Sequence, residues 1–309
     1  MIEPVVVSLR LIQYLGAMLL MGASLFFLYS GGRPFPERGG LARPRRLLLL
    51  TAASALAVAS LAAVAAQSIL FAGSLSDGLD VNSLRTVAFG MDLGKAALVR
   101  AAAATLATVL LLILPAGRTS WMTAAVLGTA ATASLAWLGH AAAGEGSIGT
   151  VHLLSDILHV MAAGVWIGAL FGLWQLLLAR PRSDRDSLEI HAALHGFSGI
   201  GSAAVALILL TGLVNSWVLV GPDKVLELWT TRYGQLLVVK IVLFVIMIAF
   251  AAANRFRLTP ALGKALSDEK LRRRALPPLR RSIALETVLG IAVLILVSWL
   301  GTLEPPVAL

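Results

Sequence analysis

Eight runs of about 20 apolar residues, each long enough to cross the hydrocarbon layer of a bilayer as a helix, dominate the chain. They are Val5–Tyr29, Leu47–Ala72, Leu93–Pro115, Trp121–Gly139, Val151–Leu178, Phe197–Leu219, Gly234–Ala253 and Ser282–Leu303. Inside lipid every backbone N–H and C=O must be satisfied within the segment, so the pattern predicts an all-α polytopic transmembrane bundle of eight helices. Composition agrees, because 58% of the 309 residues are hydrophobic and only 13% are charged, too apolar for a soluble domain of this length. Helices already in lipid associate through close packing and polar contacts, and Ala-, Gly- and Ser-rich stretches such as 51–67 supply the small side chains that permit it.

The linkers fix an orientation. Those at 30–46, 116–120, 179–196 and 254–281 carry 18 Lys plus Arg, against 3 in the segments on the other side. The positive-inside rule then places the basic loops in the cytoplasm and both termini in the periplasm. This distribution also accounts for the formal charge of +9 without nucleic acid as a partner. The longest basic linker, 254–281 with its run DEKLRRRALPPLRR, reads as a solvated loop face attracted to anionic lipid. There is no cysteine, so disulfides, thiolate metal sites and iron–sulfur ligation are excluded. The opening MIEP followed by a full apolar span reads as a retained first helix rather than a cleaved signal.

Titratable groups inside such spans are costly and mark interior or water-filled paths. The fifth span carries His152, Asp156 and His159 at i, i+4 and i+7, one face of a helix. His140 and Glu145 lie in the turn just before it. With the derived orientation, this group and the four basic residues within spans, Arg10, Lys95, Arg100 and Lys240, all fall in the outer half of the membrane. Arg10 and Lys95 are near enough to the surface to snorkel, whereas Arg100 and Lys240 call for buried partners.

His152 and His159 stand about 10.5 Å apart along a helix axis, too far to share an ion directly. His152 with Asp156, or Asp156 with His159, can each chelate, with His140 as the natural further ligand. Imidazole-rich sets suit copper, zinc and nickel, and Met91 or Met161 would add a soft donor for a cuprous ion. His191 and His195, also i and i+4, open the sixth span on the cytoplasmic side and read as interfacial. Glu286, about one turn inside the eighth span, has Arg280, Arg281 or Lys264 as possible partners, or would serve as a proton or ion stop.

From Gly139 to Leu303 the chain resembles the copper-resistance protein D family of bacterial inner-membrane proteins. The residues that carry the likeness are Leu138-Gly139-His140-Ala141, His152 with His159, Trp166-Ile167-Gly168, Phe197-Ser198, Thr211-Gly212 with Asn215, Tyr233-Gly234 leading to Lys240, Asn254-Arg255, and Ser282 with Glu286. The resemblance implies an N-terminal four-helix half, 1–139, and a family-like half, 140–309. It implies copper uptake or tolerance in the inner membrane, a non-enzymatic role, and a separate periplasmic copper-binding protein as partner. It points to His140, His152 and His159 as metal residues, to which the spacing adds Asp156. No ATP-binding loop is present, so transport would follow the membrane potential or a proton exchange. The alternative is a redox membrane protein using the same histidines for b-type haem, with the basic residues receiving haem propionates or a quinone headgroup.

Overall fold

The computed structural model describes residues 3–30, 42–139, 144, 146–178 and 184–308. Eight helices in it are long and apolar enough to span a membrane: α1 Glu3–Ser30, α2 Arg43–Ala72, α3 Asp92–Ile113, α4 Arg118–Leu138, α5 Gly146–Leu178, α6 Ser187–Leu219, α7 Arg232–Lys264 and α8 Glu269–Leu300. No strand occurs among the described residues. All eight predicted spans are therefore present.

Several helices outrun their apolar segments. The linker 254–281, expected as a solvated loop, is largely helical: α7 continues through a π-helical turn at Asn254–Leu258, and α8 starts at Glu269. Local chemistry explains the early start. Asp268 caps the first turn by accepting from the N–H groups of Lys270 and Leu271, and Arg273 bridges Glu269 one turn on. Leu276, Leu279 and Ile283 supply a buried face, and Pro277 and Pro278 lie on the exposed one, where carbonyls left without an N–H partner face outward. α6 likewise begins well before Phe197, with Ile190, Ala193 and Leu194 already buried.

α1 is the most enclosed helix and packs against α2, α4, α5 and α8. Its contact with α5 is backbone on backbone. A Cβ on Gly22 would lie 2.0 Å from the carbonyl oxygen of Gly164, and one on Gly168 would lie 2.2 Å from the carbonyl carbon of Gly22. Only glycine allows this approach, the membrane form of small-residue packing. α1 turns π-helical at Leu19–Ala23, just where the glycines meet. The consequence is that α5, which bears the histidine face, is held at fixed height against the central helix.

In the second half, α6 packs along α5 and α7 packs along α8, while α6 and α7 scarcely touch one another within the membrane. α7 is the least enclosed of the eight. The gap between α6 and α7 has α5 and α8 as its floor.

Candidate functional site

A cavity of about 160 Å³ lies at the end of the bundle nearest the termini, lined by Tyr14, Met18, Gly139, His152, Asp156, His159, Asn215, Tyr233 and Lys240 among others. The one-face reading of α5 therefore holds: His152, Asp156 and His159 all turn into one interior space. His152 is only 3% exposed. His140 and Glu145 lie outside the described residues, although Gly139, the neighbour of His140, lines the cavity and its position is 3.9 Å, measured from a Cβ built there, from Asp156 Oδ2.

Helix α6 orients these groups. Thr211 Oγ1 is 2.6 Å from the carbonyl oxygen of Leu207 and 2.9 Å from His159 Nδ1. A hydroxyl has one proton, and the shorter contact to a carbonyl commits it, so Thr211 accepts from an Nδ1–H. That arrangement favours the tautomer in which Nε2 is unprotonated. Gly212 lies beside the ring, where a Cβ would stand 3.6 Å from His159 Cε1, an ordinary packing distance. One turn on, Asn215 donates from Nδ2 to Asp156 Oδ1 at 3.0 Å, leaving its own Oδ1 buried without a partner. Ser155 also ties the helices by donating to the Thr211 carbonyl. The roles of Thr211 and Asn215 were not legible in the sequence, where only their clustering with Gly212 at i, i+1 and i+4 stood out.

The four basic residues divide. Lys95 pairs with Asp92 at 2.9 Å at the exposed start of α3, as a snorkelling residue does. Arg10 reaches the end of α8, where Gly301 lacks the side chain that would obstruct its guanidinium. Arg100 is fully buried and donates Nε to Ser134 Oγ, Nη2 to the Ser134 carbonyl and Nη1 to Gln13 Oε1, so its partners are neutral acceptors joining α1, α3 and α4. Lys240 faces the cavity and interacts electrostatically with Asp156.

The residues that line the cavity offer imidazole, carboxylate, amide and, with Met18, thioether groups. Among the described residues no three His, Asp or Glu side chains converge on one point. An ion here would be held by fewer of these groups at a time, with His140 the nearest further candidate in sequence. Met91, a possible soft donor from sequence, packs instead in a small cluster with Val64, Val87, Ala88 and Ala97.

His159 and Lys240 also line a second cavity of about 280 Å³ between α6 and α7, floored by Trp166, Ile167, Met247, Gly290 and Val293. Trp166 in turn lines a third, of about 320 Å³, with Ser198, Ser202, Asn254, Arg255 and Glu286. On α5, His152, His159 and Trp166 follow each other at seven-residue steps, two turns apart, and mark the three levels. Glu286 takes none of the basic partners considered from sequence. Its Oε1 accepts from Trp166 Nε1 at 2.8 Å and its Oε2 from Asn254 Nδ2 at 2.9 Å. His191 and His195 remain at the outer edge of α6, with ring centroids 6.2 Å apart and His191 against Gly263.

Comparison with known proteins matches residues 1–150 to the family described as Copper resistance protein D-like, N-terminal domain, and residues 191–300 to Copper resistance protein D. The chain is 36% identical to Copper resistance protein D of Pseudomonas syringae pv. tomato over 98% of its own length and 97% of that protein's. It is 35% identical to Inner membrane protein YebZ of Escherichia coli over 58% of each chain. With Copper transport protein CutJ of Bacillus subtilis it shares 34% identity over 55% of its length and 28% of that protein's. No solved structure matches. The eight membrane-length helices and these relatives identify a multi-pass protein of the bacterial inner membrane. The chain belongs to the copper resistance protein D family.

Proposed function

We propose that this protein carries copper across the inner membrane through its second half, 140–309, taking it from the periplasmic side at His152, Asp156 and His159 with His140 as a further ligand. The observation that carries this reading is the series of three cavities, the first two sharing His159 and Lys240 in their walls and the last two sharing Trp166, spaced from the histidine face toward the opposite end of the bundle. The name of the Bacillus subtilis relative, a copper transport protein, points the same way. The first half, 1–139, acts as the scaffold that seats α5 against α1.

His159 offers its free Nε2 to the cargo, and Met18 contributes a thioether, a pairing that suits cuprous copper. Lys240 would repel a cation if it stood alone, but Asp156 offsets its charge across the cavity. The 18 to 3 distribution of basic residues puts the histidine end outside, the side on which an inward carrier receives its cargo. Potential-driven entry is worth about 2.3 kcal/mol per charge at 100 mV. A separate periplasmic copper-binding protein delivers the metal.

The redox reading, with b-type haem or a quinone at the same histidines, relied on free basic residues to receive propionates. Arg100 is already engaged by Gln13 and Ser134, which removes the most deeply buried of those charges from such a role. The test is cellular copper in strains carrying His152→Ala or His159→Ala at equal membrane abundance. Copper accumulation should be lost in both, and accumulation equal to wild type in both would refute the transport reading.

A further inference from the structure

The third cavity contains a carboxylate that copper binding does not explain. Glu286 is 1% exposed, and among the described residues no cation forms an ion pair with it. Its two oxygens are held by one neutral donor each, Trp166 Nε1 on Oε1 and Asn254 Nδ2 on Oε2. These two donors differ in kind. An indole N–H can only donate, so Oε1 must remain an acceptor whatever the charge of Glu286. An amide has a donor end and an acceptor end, and Asn254 keeps its Oδ1 buried without any partner.

We propose that Glu286 is a proton-carrying site at the cytoplasmic end of the route, with Asn254 as the side chain that serves both of its charge states and couples proton movement to transport. In the ionised state Asn254 presents Nδ2 to Oε2, the arrangement seen. When a proton arrives it forms an O–H bond on Oε2, the oxygen whose neighbour, the Asn254 amide, can supply an acceptor. The amide of Asn254 then turns so that Oδ1, unpartnered in the ionised state, accepts from that O–H while Nδ2 gives up its bond and faces the cavity. Release reverses the two steps.

The surroundings fit this role. Asn254 opens the π-helical turn Asn254–Leu258, the kind of local irregularity that accompanies functional positions in helices. The 320 Å³ cavity beside it gives the amide room to rotate and a proton a way in. Arg255 is the one other charged group lining that cavity, and it is turned toward α6, donating to the Ser198 carbonyl at 3.1 Å and to Ser202 Oγ. Among the described residues the linings from α5 and α6 carry no titratable side chain, and neither His191 nor His195 is part of the lining. On α8 itself Arg280 and Arg281 lie more than a turn away toward the helix start.

This inference rests on the transport reading for its coupling role, but the proton site can be tested without copper. Difference infrared spectra of the purified full chain across a pH step should show a protonated-carboxyl band that disappears in Glu286→Gln. In Asn254→Ala the band should persist but shift to higher frequency, because its O–H has lost the acceptor. No Glu286-dependent band at any pH, or a band that Asn254→Ala leaves unmoved, overturns the site. In proteoliposomes an imposed pH gradient should raise copper uptake severalfold in wild type and have no effect in vesicles carrying Glu286→Gln. A variant that keeps the gradient response overturns the coupling. A band that behaves as expected while wild type moves no copper would instead sink the transport reading and leave the proton site standing. A response to a Na⁺ gradient rather than a pH gradient would assign the site to Na⁺ and overturn the proton.

Discussion

Thr211→Val isolates the most specific claim about the histidine site. Valine keeps the shape of threonine but removes the hydroxyl that accepts from His159 Nδ1 at 2.9 Å. Two outcomes are open to the imidazole. It can keep its Nδ1–H without an acceptor, which costs about 1–3 kcal/mol at a buried position. Otherwise its proton moves to Nε2 and the lone pair facing the cavity is lost. Either way metal binding should weaken about 10- to 100-fold, the range found when a hydrogen-bond partner of a ligating histidine is removed. Thr211→Ser retains the oxygen and should bind close to wild type. Equilibrium dialysis of purified protein against buffered cuprous ion reads the affinity, and thermal unfolding in detergent confirms that the fold is kept. Wild-type affinity in Thr211→Val, or an equal loss in Thr211→Ser, would refute the assignment of the tautomer.

Gly168→Ala should destabilise the protein by about 1–3 kcal/mol, because its methyl would sit 2.2 Å from the Gly22 carbonyl carbon and force α1 and α5 apart; the unfolding midpoint in detergent is the measure. Gln13→Ala takes an acceptor from the fully buried Arg100 and should cost about 1.5–3 kcal/mol in the same assay, whereas Gln13→Glu, which supplies a countercharge, should cost less. A C-terminal reporter active only in the cytoplasm should be silent, as the 18 to 3 charge distribution requires, and its activity would overturn the orientation.

The bundle was legible because a bilayer leaves an apolar run of this length few alternatives to a helix. Helix ends were not, since the apolar run marks the lipid boundary and not the last hydrogen bond: α8 reaches back to Glu269 through a charged, proline-containing stretch whose cap is a single aspartate. The face shared by His152, Asp156 and His159 followed from helical periodicity alone. Their supports did not, because Thr211 and Asn215 stand 52 and 59 residues from the groups they hold, and a lone hydroxyl or amide has no periodic signature. The buried charges taught the same lesson. Arg100 called for a buried partner and Glu286 had basic ones within reach of its sequence position, yet both are satisfied by neutral groups from helices remote in sequence.

Copper flux into proteoliposomes containing only the purified protein tests the central claim most directly. The account predicts that cuprous ion supplied outside enters the vesicles, that His159→Ala abolishes entry, and that the purified protein shows no Soret band. Vesicles that stay free of copper while the protein carries a haem absorbing in that band would contradict it.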